Sequence, residues 1–222
     1  MNGARPQRHR MVTLSLTSVA SEADTSLTMS SIALILAYAA VWPWPTALTA
    51  SAVPRIAVTV RVYQTAGLAF TLEQRALAEA ETVLRAGLVE VRWHECTGLN
   101  PSPICDVPPG PSDLLLVVRA GDPCHEDTSA MLGAALVGRG AGGVLATVYV
   151  DCVASLATEA GADLAVLLGR VAAHELGHLM MRTPAHARHG LMRPNWTPHE
   201  IRRNRPADWA FTAQDVAAMR QP

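Results

Sequence analysis

The sequence predicts a mixed α/β domain built on one principal sheet, behind an N-terminal targeting segment. Three observations carry this. Short β-rich runs alternate with a helical pattern between residues 56 and 150. A long apolar helical pattern follows over Leu156–Met181 and contains an H-E-x-x-H motif. The chain has 222 residues and is half apolar, which suits one catalytic domain with a real core better than two.

The N-terminus reads as an export signal. No residue from Thr25 to Pro54 is charged. The most apolar part, Ile32–Trp42, is about 11 residues long, whereas a membrane span needs roughly 20. Arg5, Arg8 and Arg10 precede it, and Ala50-Ser51-Ala52 follows as an A-x-A cleavage site. The alternative is an uncleaved anchor. Either form divides the chain into a targeting segment, 1–52, and a domain, 53–222, outside the cytoplasm: periplasmic, secreted or membrane-anchored facing outward. Any membrane contact would run through an uncleaved N-terminal segment.

The four cysteines, Cys96, Cys105, Cys124 and Cys152, all follow that boundary, and four allow three pairings. Cys96 and Cys105 flank a short loop in a proline-rich stretch, so they are paired here, and Cys124 goes with Cys152 by elimination. No C-x-x-C spacing supports a cysteine zinc site, and disulfides suit an oxidising compartment.

Ile56–Tyr63 alternates apolar and polar residues and reads as a strand. A helix over Thr71–Ala86 follows, with Thr71 as N-cap and an apolar face of Leu72, Leu77, Ala80, Val83 and Leu84. Leu88–Trp93 is a second strand; His94 and Glu95 fall in the loop after it. Asp113–Arg119 is a continuous apolar run typical of a strand buried on both faces. Residues 120–142 read as irregular; the polar cluster Asp122, His125, Glu126 and Asp127 is a solvated loop. Val144–Val150 is the next strand, then the long helix, then a short C-terminal helix opened by Thr212 and Asp215. Trp196 and Trp209 are assigned to the core and His199 to the surface.

The chemistry lies in His174-Glu175-Leu176-Gly177-His178. Residues i and i+4 share one helix face one turn apart, so two imidazoles reach one metal ion. Glu175, beside the first of them, is placed to contact a water rather than the ion, as a general base must. Four of the eight histidines fall between 174 and 189. A catalytic zinc takes three protein ligands and keeps a fourth position open. The third ligand is one of His186, His189 and Glu200, with His186 preferred because Pro184 ends the helix and turns the chain back. His189 is otherwise a loop residue, or a hydrogen-bond donor near the ion.

The stretch His174–Met192 resembles the metzincin clan of zinc peptidases, whose motif is H-E-x-x-H-x-x-G-x-x-H followed by a methionine-bearing turn. His174, Glu175 and His178 match, and Met192 looks like the turn methionine. Met181 stands at the metzincin glycine and Pro184 at its third histidine, so the resemblance implies that the third ligand has moved to His186. The same stretch is similar to a set of exported bacterial proteins of the form H-E-[IL]-G-H-L-x(6)-H-x(3)-G-[IL]-M-R, which His186, Gly190, Met192 and Arg193 match. The resemblance implies a single metzincin-like domain, its active-site helix packed under a twisted mixed sheet. It also implies one Zn²⁺ and hydrolysis of peptide bonds in a peptide or protein substrate. In metzincins the edge strand before that helix pairs with extended substrate, and Val144–Val150 is expected there. Rival readings are an exported zinc-binding module without turnover and a gluzincin-type peptidase using Glu200. A formal net charge of −1 with no basic stripe, and 5% aromatics, argue against nucleic acid as a partner.

Overall fold

The computed structural model describes residues 54–121, 131–138 and 144–221. The chain divides into Met1–Ala50 and Ser51–Pro222, and the described residues all belong to the second unit. Residues 1–52, expected to be a targeting segment, Cys124 and the cluster of Asp122, His125, Glu126 and Asp127 lie outside them. No helix among the described residues is long and apolar enough to cross a membrane.

The unit is mixed α/β with a five-stranded, mostly parallel sheet. The strands are β1 (Ile56–Gln64), β2 (Val89–Glu95), β3 (Asp113–Arg119), β4 (Gly133–Leu136) and β5 (Leu145–Tyr149), in the order β2-β1-β3-β5-β4. The first four in that order run parallel, and β4 pairs antiparallel with β5, Gly133 opposite Val148 and Leu136 opposite Leu145. β1 and β3 are central, so Val60, Val62, Leu114, Leu116 and Val118 are buried, as runs of branched residues in parallel sheets usually are.

Four expectations are corrected. Helix α1 (Phe70–Ala86) starts before Thr71: its N-cap is Ala69, whose carbonyl accepts from the amides of Leu72 and Glu73. His94 and Glu95 end β2 instead of lying in a loop, because both stay in register with Arg61 and Val62. The segment read as irregular contains β4, and β4, not 144–150, forms the sheet edge; β5 is interior, flanked by β3 and β4. The long helix is two: α2 (Val150–Ala160) ends at Gly161, whose φ of 62° is left-handed, and α3 (Leu164–Met181) restarts under Asp163. Asp163 caps α3 by accepting from the amides of Ala165 (2.9 Å) and Val166 (3.2 Å).

Two short helices close the chain, α4 (Pro198–Arg203) and α5 (Ala213–Met219), each opened by a capping box, Thr197 with Glu200 and Thr212 with Asp215. α3 is buried almost all round from Ala165 to Leu179, packed on α1 and under β3, β4 and β5. It is the central helix of the core, which is why its histidines sit deep.

The proline-rich loop is held by two devices. Cys96 and Cys105 form a disulfide, as expected. Cys152 is also disulfide-bonded. Beyond the disulfide, buried Arg61 donates to Asp113 Oδ2 (3.1 and 2.6 Å) and to the carbonyls of Val107 (2.5 Å) and Pro108 (3.2 Å). The Gly110 amide completes the set on Asp113 Oδ2 at 3.0 Å.

Candidate metal centre

Three imidazoles converge. His174 and His178 project from one face of α3, as the i, i+4 spacing dictates. His186 returns on the loop after the helix: Arg182 ends α3 in the left-handed region, φ 54°, and the loop doubles back. The His178 Nε2 lies 3.1 Å from His174 Nε2 and 3.3 Å from His186 Nε2. All three ligand atoms fall within 4.8 Å of one another.

The contact between His174 and His178 is not a hydrogen bond between rings. His174 Nδ1 lies 2.8 Å from the Leu191 carbonyl, and His178 Nδ1 lies 2.8 Å from the Thr183 carbonyl. A carbonyl only accepts, so each Nδ1 carries the proton and each Nε2 presents a lone pair. Two lone pairs 3.1 Å apart repel unless a cation stands between them. Zn–N bonds of about 2.0–2.1 Å on a tetrahedral ion place neighbouring nitrogens about 3.3 Å apart. The observed 3.1 and 3.3 Å fit that spacing. These three histidines can therefore hold a metal ion, as expected for His174, His178 and His186.

Electrostatics keep the rings in the ligating form. Burial lowers the His174 pKa to about 3, helped by the neighbouring His178 and His186 and opposed by the Leu191 carbonyl. Burial also lowers His178, reinforced by His186, and lowers His186. All three are thus neutral at physiological pH, the state that binds metals.

Glu175 is buried at 6% exposure. That burial pushes its pKa up to about 8. Its side chain lies against the edge strand. A β-carbon on Gly133 would stand 2.7 Å from Glu175 Cγ and Oε1 and 2.8 Å from the Thr147 carbonyl, so only glycine fits there. Glu175, next to His174 on α3, is therefore held against the backbone of β4.

The floor of the site is the turn after His186. Gly190, φ 76°, is left-handed, and a β-carbon there would meet the Ala210 carbonyl at 2.5 Å. Leu191 donates to that same carbonyl at 2.9 Å and accepts from His174, and the Met192 carbonyl accepts from the Ala187 amide at 2.8 Å. Met192 is fully buried, its sulfur over Gly177, 2.8 Å from where a β-carbon would be.

The other candidates sit elsewhere. His189 is exposed and outside the histidine group. Glu200 is also outside it: its carboxylate accepts from the Thr197 amide and hydroxyl and pairs with Arg193. Those partners hold its pKa low, the Thr197 amide foremost. The sequence pattern Thr-Pro-His-Glu was the sign of this, a cap with proline at the first helical position and glutamate at the third.

Sequence reasoning missed Trp196 as part of the site. It is half-buried, and its ring meets His174 edge-on with centroids 5.6 Å apart. The carbonyls of Leu191 and Thr183 were missed too, and backbone acceptors leave no sequence signal.

The chain matches no family model and no curated protein.

Proposed function

We propose that residues 53–222 form an exported, zinc-dependent peptidase of metzincin-like build. The observation that carries the reading is the convergence of three histidine Nε2 atoms, two of them with lone pairs fixed by their Nδ1 partners, next in sequence to a buried carboxylate that lies against the sheet edge. A purely structural metal site has no use for Glu175 in that place. Histidine ligands suit zinc among common ions, and three of them leave the fourth position that catalysis needs. The disulfides fit an oxidising compartment outside the cytoplasm.

The substrate class follows from β4. Its inner side pairs with β5, and no other described strand lies beyond it. An extended peptide adds to such an edge through backbone hydrogen bonds. That docking brings a peptide carbonyl alongside Glu175, which touches β4 at Gly133.

His174, His178 and His186 would hold the ion, with Met192 packed below. Bound zinc supplies Lewis acidity, which acidifies water and polarises a carbonyl oxygen. Glu175 takes the proton of the attacking water; a cation on the histidines favours the ionised carboxylate this requires. The same carboxyl then delivers the proton to the leaving amine. The Leu191 and Thr183 carbonyls keep both helix histidines aimed throughout.

The test uses the full chain. One zinc per chain by mass spectrometry is expected in the parent and in Glu175→Ala. Cleavage of an unfolded protein substrate should fall about 10²- to 10⁴-fold in the variant, the usual contribution of a general base. A parent without zinc, or a fully active Glu175→Ala, would falsify the reading.

A further inference from the structure

We infer that Trp196, latched by the Arg193–Glu200 ion pair, is a positioning residue for His174 and raises the metal affinity of the centre without supplying a ligand. The inference rests on the metal-centre reading above.

His174 is oriented on two sides. Its Nδ1 is held by the Leu191 carbonyl, and its ring face or edge is held by Trp196, at an interplanar angle of 88°. Trp196 is itself backed by a row of side chains. It meets Trp209 edge-on with centroids 5.1 Å apart, Trp209 carries the Arg170 guanidinium 4.3 Å above its ring, and Arg170 bonds Glu79 of α1 at 3.0 Å. Edge-to-face and cation–π contacts of this kind each add to simple burial. The row ties Trp196 through Trp209 to Arg170 of α3 and Glu79 of α1, so Trp196 is braced by Trp209 as well as by His174.

The latch is the second observation. Trp196 lies in the segment between Arg193 and Thr197, and one carboxylate ties both ends. Glu200 pairs with Arg193 at one end and accepts from the Thr197 amide (2.9 Å) and hydroxyl (2.8 Å) at the other. Arg193 also donates to the Gly190 carbonyl at 3.0 Å, which joins this segment to the turn that holds His174. The Trp196 indole nitrogen is buried without a hydrogen-bond partner among the described residues. The indole is therefore placed by its ring contacts, His174 on one side and Trp209 on the other.

Groups that orient a metal-binding histidine typically change metal affinity 10- to 100-fold when removed. Cobalt(II), which reports ligand geometry through its visible absorption, is the probe. The full chain should bind one cobalt ion. Trp196→Ala should raise the cobalt Kd about tenfold or more and shift the visible band, while Trp196→Phe, which keeps an aromatic edge, stays within about threefold of the parent. Glu200→Gln should raise the Kd by a smaller factor and leave the band that of the same nitrogen donors. Arg203→Ala breaks an ion pair of the same helix away from the segment and should change neither. Parental Kd and band in both Trp196→Ala and Glu200→Gln overturn the inference alone. Complete loss of cobalt in Glu200→Gln, matching His186→Ala, overturns it by making Glu200 a ligand. No cobalt in the parent overturns the metal-centre reading, and this inference with it.

Discussion

Two polar groups in this domain, Arg61 with Asp113 and the α3 residues of the histidine centre, are equally buried and electrostatically opposite. Arg61 and Asp113 are 1% and 7% exposed; His174, Glu175 and His178 are 7%, 6% and 5% exposed. The first centre is closed. The guanidinium reaches a carboxylate and two carbonyls, and the carboxylate takes the Gly110 amide as well. The Gly110 amide, followed by Arg61, holds the Asp113 pKa below its ordinary range despite burial. The second centre is open. Each helix histidine has its Nδ1 satisfied, yet the Nε2 lone pairs face one another, and burial alone acts on Glu175. Burial therefore does not mark a functional site. What marks it is bonding capacity that the fold has oriented and left unused.

The largest expected effect lies at the closed centre. Asp113→Ala leaves Arg61 charged and without its carboxylate, and breaking a buried pair by removing one partner costs about 3–5 kcal/mol. The upper end is expected, since the same oxygen anchors Gly110 and the proline-rich loop. Urea denaturation measures it, and metal uptake by the folded fraction should be parental. A loss below about 1 kcal/mol would show that this centre is no better satisfied than the other and would dissolve the contrast.

At the open centre the metal-free chain should show the reverse behaviour, with gain from removing a charge. Folded Glu175 keeps its proton to about pH 8, whereas an unperturbed glutamate releases it near 4.5. Between those values the folded state holds a proton the unfolded state has lost, so this group's contribution to stability declines as pH rises through the window. His174 acts oppositely: its folded pKa of about 3 lies below the ordinary 6.5, so stability declines as pH drops through that lower window. Glu175→Gln removes the alkaline penalty. With chelator present, the variant should be more stable than the parent at pH 9, by on the order of 5 kcal/mol, and equal to it below pH 4. A variant no more stable at pH 9 would mean that Glu175 is solvated or bonded after all. Metal should erase the difference, because a cation restores the ionised carboxylate.

The same contrast explains what could be read from sequence. The central strands were legible because β1 and β3 are rich in branched residues, and α1 because its apolar face repeats at helical spacing. The ligand set was legible because two histidines at i, i+4 are a local geometric fact, and Pro184 announces the turn that returns His186. Strand β4, sequence GAAL, was not, since glycine and alanine carry no strand signal. Its glycine is required by what it faces: at Gly133 a β-carbon would meet Glu175 and the Thr147 carbonyl. The break between α2 and α3 was hidden because apolar periodicity continues across Gly161 and Asp163. Arg61 was hidden for a different reason. On an alternating strand it reads as an outward polar residue, and only the folded loop over it supplies its carbonyl partners.

The smallest effect asks how local the open centre is. Asp163 caps α3 and pairs with Arg75 at 2.5 Å, but both side chains of that pair are about half exposed, so the ion pair adds little. Losing the cap in Asp163→Ala should cost about 1 kcal/mol by thermal or urea denaturation. The cap lies 11 residues before His174, about 16 Å along the helix axis, and fraying is confined to the first turn. The groups that touch these rings and aim them, the Leu191 and Thr183 carbonyls and the Trp196 ring, all lie between Thr183 and Trp196. Cobalt affinity should therefore stay within about twofold of the parent while stability drops. A tenfold loss of affinity would mean that the histidines depend on the whole helix, and the open centre would then be a property of the core rather than of the loop that closes around it.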